Sequence, residues 1–221
     1  MKMEKSIVII CDGDFPKKEY PRYLVSSADF IICCDGALVK FLRHSKKIFG
    51  AERLPDLVIG DMDTLSDAMQ KRYSDIIVRE SEQDHNDQTK AVRWALDNIE
   101  NISSIHILGA TGGRADHTIG NLSLLMEYTR MFDLDGIDIE AVSDDCTAFP
   151  VNDTIEIDCG EGRQMSIFSP DTTLRIKSEG LMYRTDEVVF DNWWKATLNK
   201  TSQDRVRLEF NHPSMALIIM N

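Results

Sequence analysis

Five short apolar runs, each closed by a polar cluster, constrain this chain more than any other feature. They are Ser6–Cys11, Phe30–Cys34, Leu57–Ile59, Ile76–Val78 and Ile105–Leu108. Runs this short and this continuously apolar belong to strands covered on both faces, since a half-exposed strand alternates. Helix-period segments lie between and after them. Asp87–Ile99 puts Ala91, Trp94, Ala95 and Asn98 on one side, and Thr118–Arg130 does the same with Ile119, Leu122, Leu125 and Met126. Strand–helix alternation with such strands predicts an α/β region built on a parallel sheet with helices on both faces.

After Ile137 the period changes. Arg205–Phe210 alternates strictly, as a half-buried strand must. Ile155–Ile157, Leu174–Ile176 and Ala216–Met220 are further strand candidates, separated by Gly160, Gly162, Pro170, Gly180, Asn192 and Pro213. This second region predicts a small antiparallel sandwich or barrel. A length of 221 residues accommodates two such domains. The change falls within the acidic stretch Asp133–Asp145, and we place it at 137/138, giving domains 1–137 and 138–221.

The polar clusters are more than turn formers if the first region is a parallel sheet. The runs lead into Asp12-Gly13-Asp14, Asp35-Gly36, Gly60-Asp61-Met62-Asp63, Asp84-His85-Asn86-Asp87 and Gly109–Asp116. Carboxyl ends of parallel strands share one edge, where open α/β sheets bind ligands. Gathered carboxylates repel unless a cation sits among them, and hard oxygen ligands select Mg²⁺, which also holds substrate phosphates. The last cluster complements this. Gly109, Gly112 and Gly113 permit close backbone approach to an anion, a helix N-terminus follows, and Arg114 offers a fork for phosphate oxygens. Phosphoryl transfer needs this pairing of positioning and charge neutralisation.

Each piece also has a plainer reading. Asp61 is a turn former, Asp87 the cap of its helix, Lys90 a solvated helix charge, and His85 a surface loop residue. His117 caps or packs at its helix start, and Trp193-Trp194 anchors a small β core. The coincidence of five clusters at five successive strand ends favours the ligand site.

Charge and composition narrow the partners. With 25 Lys+Arg against 37 Asp+Glu the net charge is −12, which disfavours nucleic acid and anionic membrane. No apolar run approaches the ~20 residues of a membrane helix. Met1–Lys5 leads only into the first apolar run, so no signal peptide is expected and the expected location is the cytoplasm. Five cysteines without zinc-like spacing fit a reducing compartment.

In this order, Cys34-Asp35-Gly36-Ala37, Ile59–Thr64, Asp84–Ala91 and Gly109–His117, running on to Asn121-Leu122, resemble the thiamine pyrophosphokinase family. The resemblance implies a Rossmann-like, N-terminal nucleotide-binding domain, a C-terminal β-sandwich, and a homodimer with active sites between subunits. It implies transfer of diphosphate from ATP, the co-substrate, to the hydroxyl of thiamine, giving thiamine diphosphate and AMP. Asp61, Asp63 and Asp87 then hold Mg²⁺ and the polyphosphate, and Asp63 orients or accepts the proton of the hydroxyl. Asp35, Lys90, Thr111, Gly112, Gly113, Arg114 and Asp116 fall on the nucleotide side. Tyr183 and Asn199, in segments 180–183 and 197–199, fall on the thiamine side. Tyr183 stands where the family commonly has tryptophan, and its ring suits a cationic partner, a role that Trp193 and Trp194 nearby could share.

Two rivals come from other classes. Ile9–Asp14 ends a strand in an acidic D-x-D, as in Mg²⁺-dependent phosphohydrolases of aspartyl-phosphate type. A non-catalytic nucleotide- or thiamine-binding module would bind the same ligands and turn nothing over.

Overall fold

The computed structural model describes residues 3–221; Met1 and Lys2, placed ahead of the first strand in the sequence reading, lie outside them. The chain forms two compact units. One extends to Asn121 and takes in Leu134–Asp144, and the other comprises Leu122–Asp133 with Asp145–Asn221.

The first unit alternates as expected. Its elements are β1 (Lys5–Ile10), α1 (Glu19–Ser27), β2 (Phe30–Cys34), α2 (Ala37–Phe49), β3 (Leu57–Gly60), α3 (Asp67–Arg72), β4 (Ile77–Arg79), α4 (Asp87–Asn98), β5 (Ile102–Leu108), the start of α5 (Ala115–Met131), and β6 (Asp138–Val142). The order across the sheet is β6-β5-β1-β2-β3-β4, and every pairing is parallel. The central strands are apolar over Ile7–Ile10 and Phe30–Cys34 because both faces are covered. Val8, Ile10, Ile31 and Cys33 join Leu24 and Val25 of α1 and Leu38 and Phe41 of α2 in one core cluster. α4 lies against β1, β2 and β3 and buries Ala91, Val92 and Ala95. Each fully buried branched side chain contributes about 1.5–3 kcal/mol. α2 ends at Gly50, whose φ of 75° supplies the left-handed cap.

The division expected at 137/138 would separate two paired strands. β6 runs parallel beside β5 from Ser104↔Asp138 to Leu108↔Val142, so the first unit continues to Asp144.

The second unit is antiparallel. β7 (Thr147–Val151), β9 (Gln164–Phe168), β11 (Ala196–Lys200) and β13 (Ala216–Met220) form one layer in the order β11-β9-β13-β7. β8 (Ile155–Asp158), β10 (Ile176–Glu179) and β12 (Arg205–Phe210) form a second, in the order β10-β12-β8. Met165, Ile167, Ala216 and Ile218 from the first layer meet Ile176, Val206, Leu208 and Phe210 from the second in one buried cluster, which makes this unit a β-sandwich. The strand expected at Leu174–Ile176 begins at Ile176. Leu174 instead closes a turn through its N–H to the Asp171 carbonyl, and the Arg175 N–H donates to Asn211 Oδ1.

Candidate functional site

β1 has β2 on one side and β5 on the other, so the chain reverses its direction of travel across the sheet there. Such a switch point opens a crevice at the carboxyl ends of the strands. A cavity of about 620 Å³ lies at that edge, walled by the segments following β1, β2, β3 and β5 and by the start of α4. Of the expected residues, Asp35, Asp61, Asp63, Asp87, Lys90, Gly112, Gly113 and Arg114 line it, whereas Thr111 and Asp116 stand outside its walls.

The floor is laced backbone to backbone. Gly13 N–H donates to the Gly109 carbonyl and Asp14 N–H to the Thr111 carbonyl, both at 2.9 Å. A Cβ on Gly13 would sit 2.2 Å from the Thr111 oxygen, and one on Gly109 2.4 Å from the Cys11 oxygen. Gly109 also serves this seam, and a Cβ on Gly112 would run into Asp14 at 2.4 Å, while Gly113 has open space; all three border the cavity. Lys40 of α2, not singled out in the sequence, fixes the same floor. Its ammonium donates to the carbonyls of Asp12 and Gly13 and pairs with the Asp12 carboxylate at 2.8 Å.

Three carboxylates converge: Asp35, Asp61 and Asp63 each offer an oxygen within 4.8 Å of the others. Asp35 turns out of β2 with φ of 34° and is only 3% exposed. Its Oδ2 accepts the Thr64 N–H at 3.1 Å, while its Oδ1 is buried with no partner. Burial pushes the Asp35 carboxyl above its usual range. Asp61 Oδ2 accepts from the Gln83 side chain and Oδ1 from the Asp63 N–H, each at 3.2 Å, and these bonds, the Gln83 amide foremost, hold its pKa down.

Asp87 was expected as the third member of this set, and Asp35 takes that place among the converging oxygens. Asp87 is not the helix cap either. Asn86 caps α4 by accepting the Thr89 N–H at 3.0 Å. The Asp87 carboxylate is turned to Lys90 Nζ at 3.2 Å, and burial raises its pKa against the opposing pull of that ammonium. Lys90 is no solvated helix charge, since its side chain is 3% exposed. Asn121, nearly two turns into α5, braces the opposite wall. It donates to the Ala110 carbonyl, accepts from Asn86 Nδ2, and receives Gln88 Nε2 on its own carbonyl, all at 2.9–3.0 Å. Arg114 and Asp116 pair with each other at the exposed rim, Arg114 Nε lying 3.1 Å from Asp116 Oδ1, and this partner holds the Asp116 carboxyl at about 2. His85 and His117 both border the cavity, and His85 Nδ1 stands 3.0 Å from Glu82 Oε2.

In the second unit Tyr183 is largely exposed. Asn199 is buried, and its amide clamps the Tyr183 backbone: Oδ1 accepts the Tyr183 N–H at 3.1 Å and Nδ2 donates to the Tyr183 carbonyl at 2.6 Å. Asn199 therefore presents Tyr183, and its Oδ1 also accepts the Lys200 N–H at 2.8 Å. Trp193 and Trp194 are 57% and 65% exposed and do not anchor the core, which Phe190 fills.

Comparison with known proteins gives a consistent result. A family model described as thiamin pyrophosphokinase, catalytic domain, matches residues 21–134, and one described as thiamin pyrophosphokinase, substrate-binding domain, matches residues 147–216. Thiamine pyrophosphokinase 1 of Oryza sativa subsp. japonica is 33% identical over 158 residues, covering 64% of this chain and 57% of that protein. Thiamine pyrophosphokinase of Bacillus subtilis (strain 168) is 37% identical over 76 residues, 33% of this chain and 35% of that one. The matched part thus spans little more than half of the first relative and about a third of the second. Among solved structures, thiamine pyrophosphokinase from Bacillus subtilis aligns with a TM-score of 0.74 at 20% identity, over 98% of this chain and 99% of that one. The yeast thiamin pyrophosphokinase aligns with 0.75 at 16%, over 100% and 88%. At these identities the structures speak for the fold.

Proposed function

Because the chain belongs to the thiamin pyrophosphokinase family, we propose that it transfers the diphosphate group of ATP to the hydroxyl of thiamine, releasing AMP. The observation that carries this reading is the meeting of Asp35, Asp61 and Asp63 in the cavity with one buried carboxylate oxygen unpartnered. Three carboxylates, one of them with an orphaned buried oxygen, fit a Mg²⁺ ion. Asp35, Asp61 and Asp63 would hold it, where it neutralises polyphosphate charge.

This chain's own residues do the rest. Gly113 and Arg114 at the rim receive phosphate oxygens, so Arg114 exchanges Asp116 for the substrate. Asp63 orients the attacking hydroxyl toward the β-phosphorus. The proton leaves late in the displacement, once the hydroxyl oxygen bonds to phosphorus and its proton becomes acidic. Lys90 keeps Asp87 fixed in the wall and adds a positive charge at the phosphate side. The exposed Tyr183 ring, held by Asn199, receives the cationic thiamine ring in a homodimer whose sites combine both chains. The family match favours this reading over the phosphohydrolase one, and Asp12 lies at the cavity floor paired with Lys40. No helix among the described residues is long and apolar enough to cross a membrane, and we place the reaction in the cytoplasm.

Purified protein mixed with ATP, Mg²⁺ and thiamine is expected to yield AMP and thiamine diphosphate, identified by mass. EDTA should stop the reaction and excess Mg²⁺ restore it. Inorganic phosphate released without thiamine, or binding with no turnover, would refute the assignment.

A further inference from the structure

The segment carrying Asp61 and Asp63 is an unusual piece of backbone. It leaves β3 through Gly60, passes through Met62 at φ of 67°, and reaches α3 without strand or helix bonds of its own. Outside the cavity, two side chains grip it. Arg79, the last residue of β4 and the register partner of Gly60, donates through Nη1 to the Asp61 carbonyl at 2.6 Å. Its Nη2 donates to Gln70 Oε1. Gln70 of α3 in turn donates through Nε2 to the carbonyls of Met62 at 2.8 Å and Leu65 at 2.7 Å. One guanidinium and one carboxamide therefore fix three carbonyls of a five-residue stretch.

We propose that Arg79 and Gln70 are positioning residues that set the affinity of the Asp35–Asp61–Asp63 cluster for a divalent cation, an inference that rests on the magnesium reading above. The chemistry of the contact supports this role. A guanidinium paired with the Asp61 carboxylate would compete with a cation for its oxygens. Arg79 takes the backbone carbonyl instead, and the neutral Gln83 amide is what reaches Asp61 Oδ2. The loop is thus held in a left-handed turn while the carboxylates stay turned toward one another. Two aspartates two residues apart keep a common direction only if the backbone between them is fixed.

The direction of the effect separates a brace from a mere charge. Removing a nearby positive charge should tighten cation binding by electrostatics alone, whereas losing a brace should weaken it. The test is Mn²⁺ binding to the purified protein without nucleotide, followed by electron paramagnetic resonance, for wild type, Arg79→Met, Arg79→Lys, Gln70→Met and Asp61→Asn. All three brace variants should bind Mn²⁺ about 10-fold more weakly, and Arg79→Lys, which keeps the charge and loses the fork, should resemble Arg79→Met. Diphosphotransfer by the brace variants should recover as Mg²⁺ is raised, while Asp61→Asn should not recover. Unchanged or tighter Mn²⁺ binding in Arg79→Met, with Asp61→Asn impaired, would overturn the brace and leave the proposed function standing. Equal Mn²⁺ binding by wild type and Asp61→Asn would instead remove the cation site itself. Should Arg79→Met fold poorly, Arg79→Lys and Gln70→Met carry the same test.

Discussion

Lys90→Met isolates the electrostatics of the α4 wall. In the native chain the ammonium stands 3.2 Å from Asp87 Oδ1, with side-chain exposures of 3% and 30%. At an effective dielectric of about 20 such a pair is attracted by roughly 5 kcal/mol before desolvation is counted. Removing one partner of a fully buried pair costs about 3–5 kcal/mol. Water reaches Asp87, so we expect a loss of about 2 kcal/mol at pH 7.5, or roughly 4–8 °C in Tm. The pH profile is the sharper signature. Burial already raises the Asp87 carboxyl, and the Lys90 hydrogen bond and charge are what restrain it. Without Lys90, burial and the charges of Asp61 and Asp63 push it higher. The folded variant then binds a proton that the unfolded chain does not, between the raised folded value and the ordinary carboxylate value. Its stability relative to wild type should therefore improve as pH falls through that window. Urea unfolding from pH 7.5 to 5 measures this, and Lys90→Met/Asp87→Asn should regain part of the loss at neutral pH. Equal stability at pH 7.5, or a deficit that grows toward pH 5, would refute the reasoning.

Other outcomes follow from the same site. Asp61→Asn should lower kcat at least ~100-fold, about 2.7 kcal/mol. Its metal-free Tm should change little, because the bonds from Gln83 and the Asp63 N–H that favour the charged carboxylate weaken only modestly at this exposed site; a clearly destabilised variant with normal kcat would return Asp61 to a turn-forming role. Gly109→Ala puts a methyl 2.4 Å from the Cys11 oxygen at φ of 66°, and thermal melts should show a loss of about 1–3 kcal/mol. Tyr183→Ala should raise the KM for thiamine roughly 10-fold with little change for ATP. Mixing it with Asp63→Asn under subunit exchange should restore part of the activity, and no recovery would sink the shared site.

β1, β2 and β3 are legible because parallel strands buried on both faces cannot hide: every residue of Ile7–Ile10 is apolar and fully buried. β9 and β11 escape notice because Gln164-Met165-Ser166 and Thr197-Leu198-Asn199 mix polar residues into short strands whose faces only the sandwich defines. β6 escapes because Asp138 and Glu140 make it read as part of an acidic linker, although Glu140 meets His106 Nδ1 at 2.8 Å on the neighbouring strand. The site edge is legible from strand-end clusters, since topology alone brings them together. Which carboxylates converge is not, because Asp35 is aimed by a positive φ and Asp87 is drawn aside by a lysine one turn on. Arg79 and Gln70 are invisible to motif reading, since they bond to backbone carbonyls rather than to any signature side chain.

The central place of β1 has a consequence for biosynthesis. Its partner on one side follows almost at once, but Leu108, which pairs with Ile10, lies 98 residues further along (108 − 10). At about 5–20 residues per second the ribosome needs roughly 5–20 s to deliver it. Throughout that interval a strand whose last four residues are all apolar presents an unpaired edge, the form most apt to recruit another nascent chain. The seam between Gly13 and Gly109 closes only when β5 arrives, so pausing over residues 90–108 would lengthen the exposed period rather than assist folding.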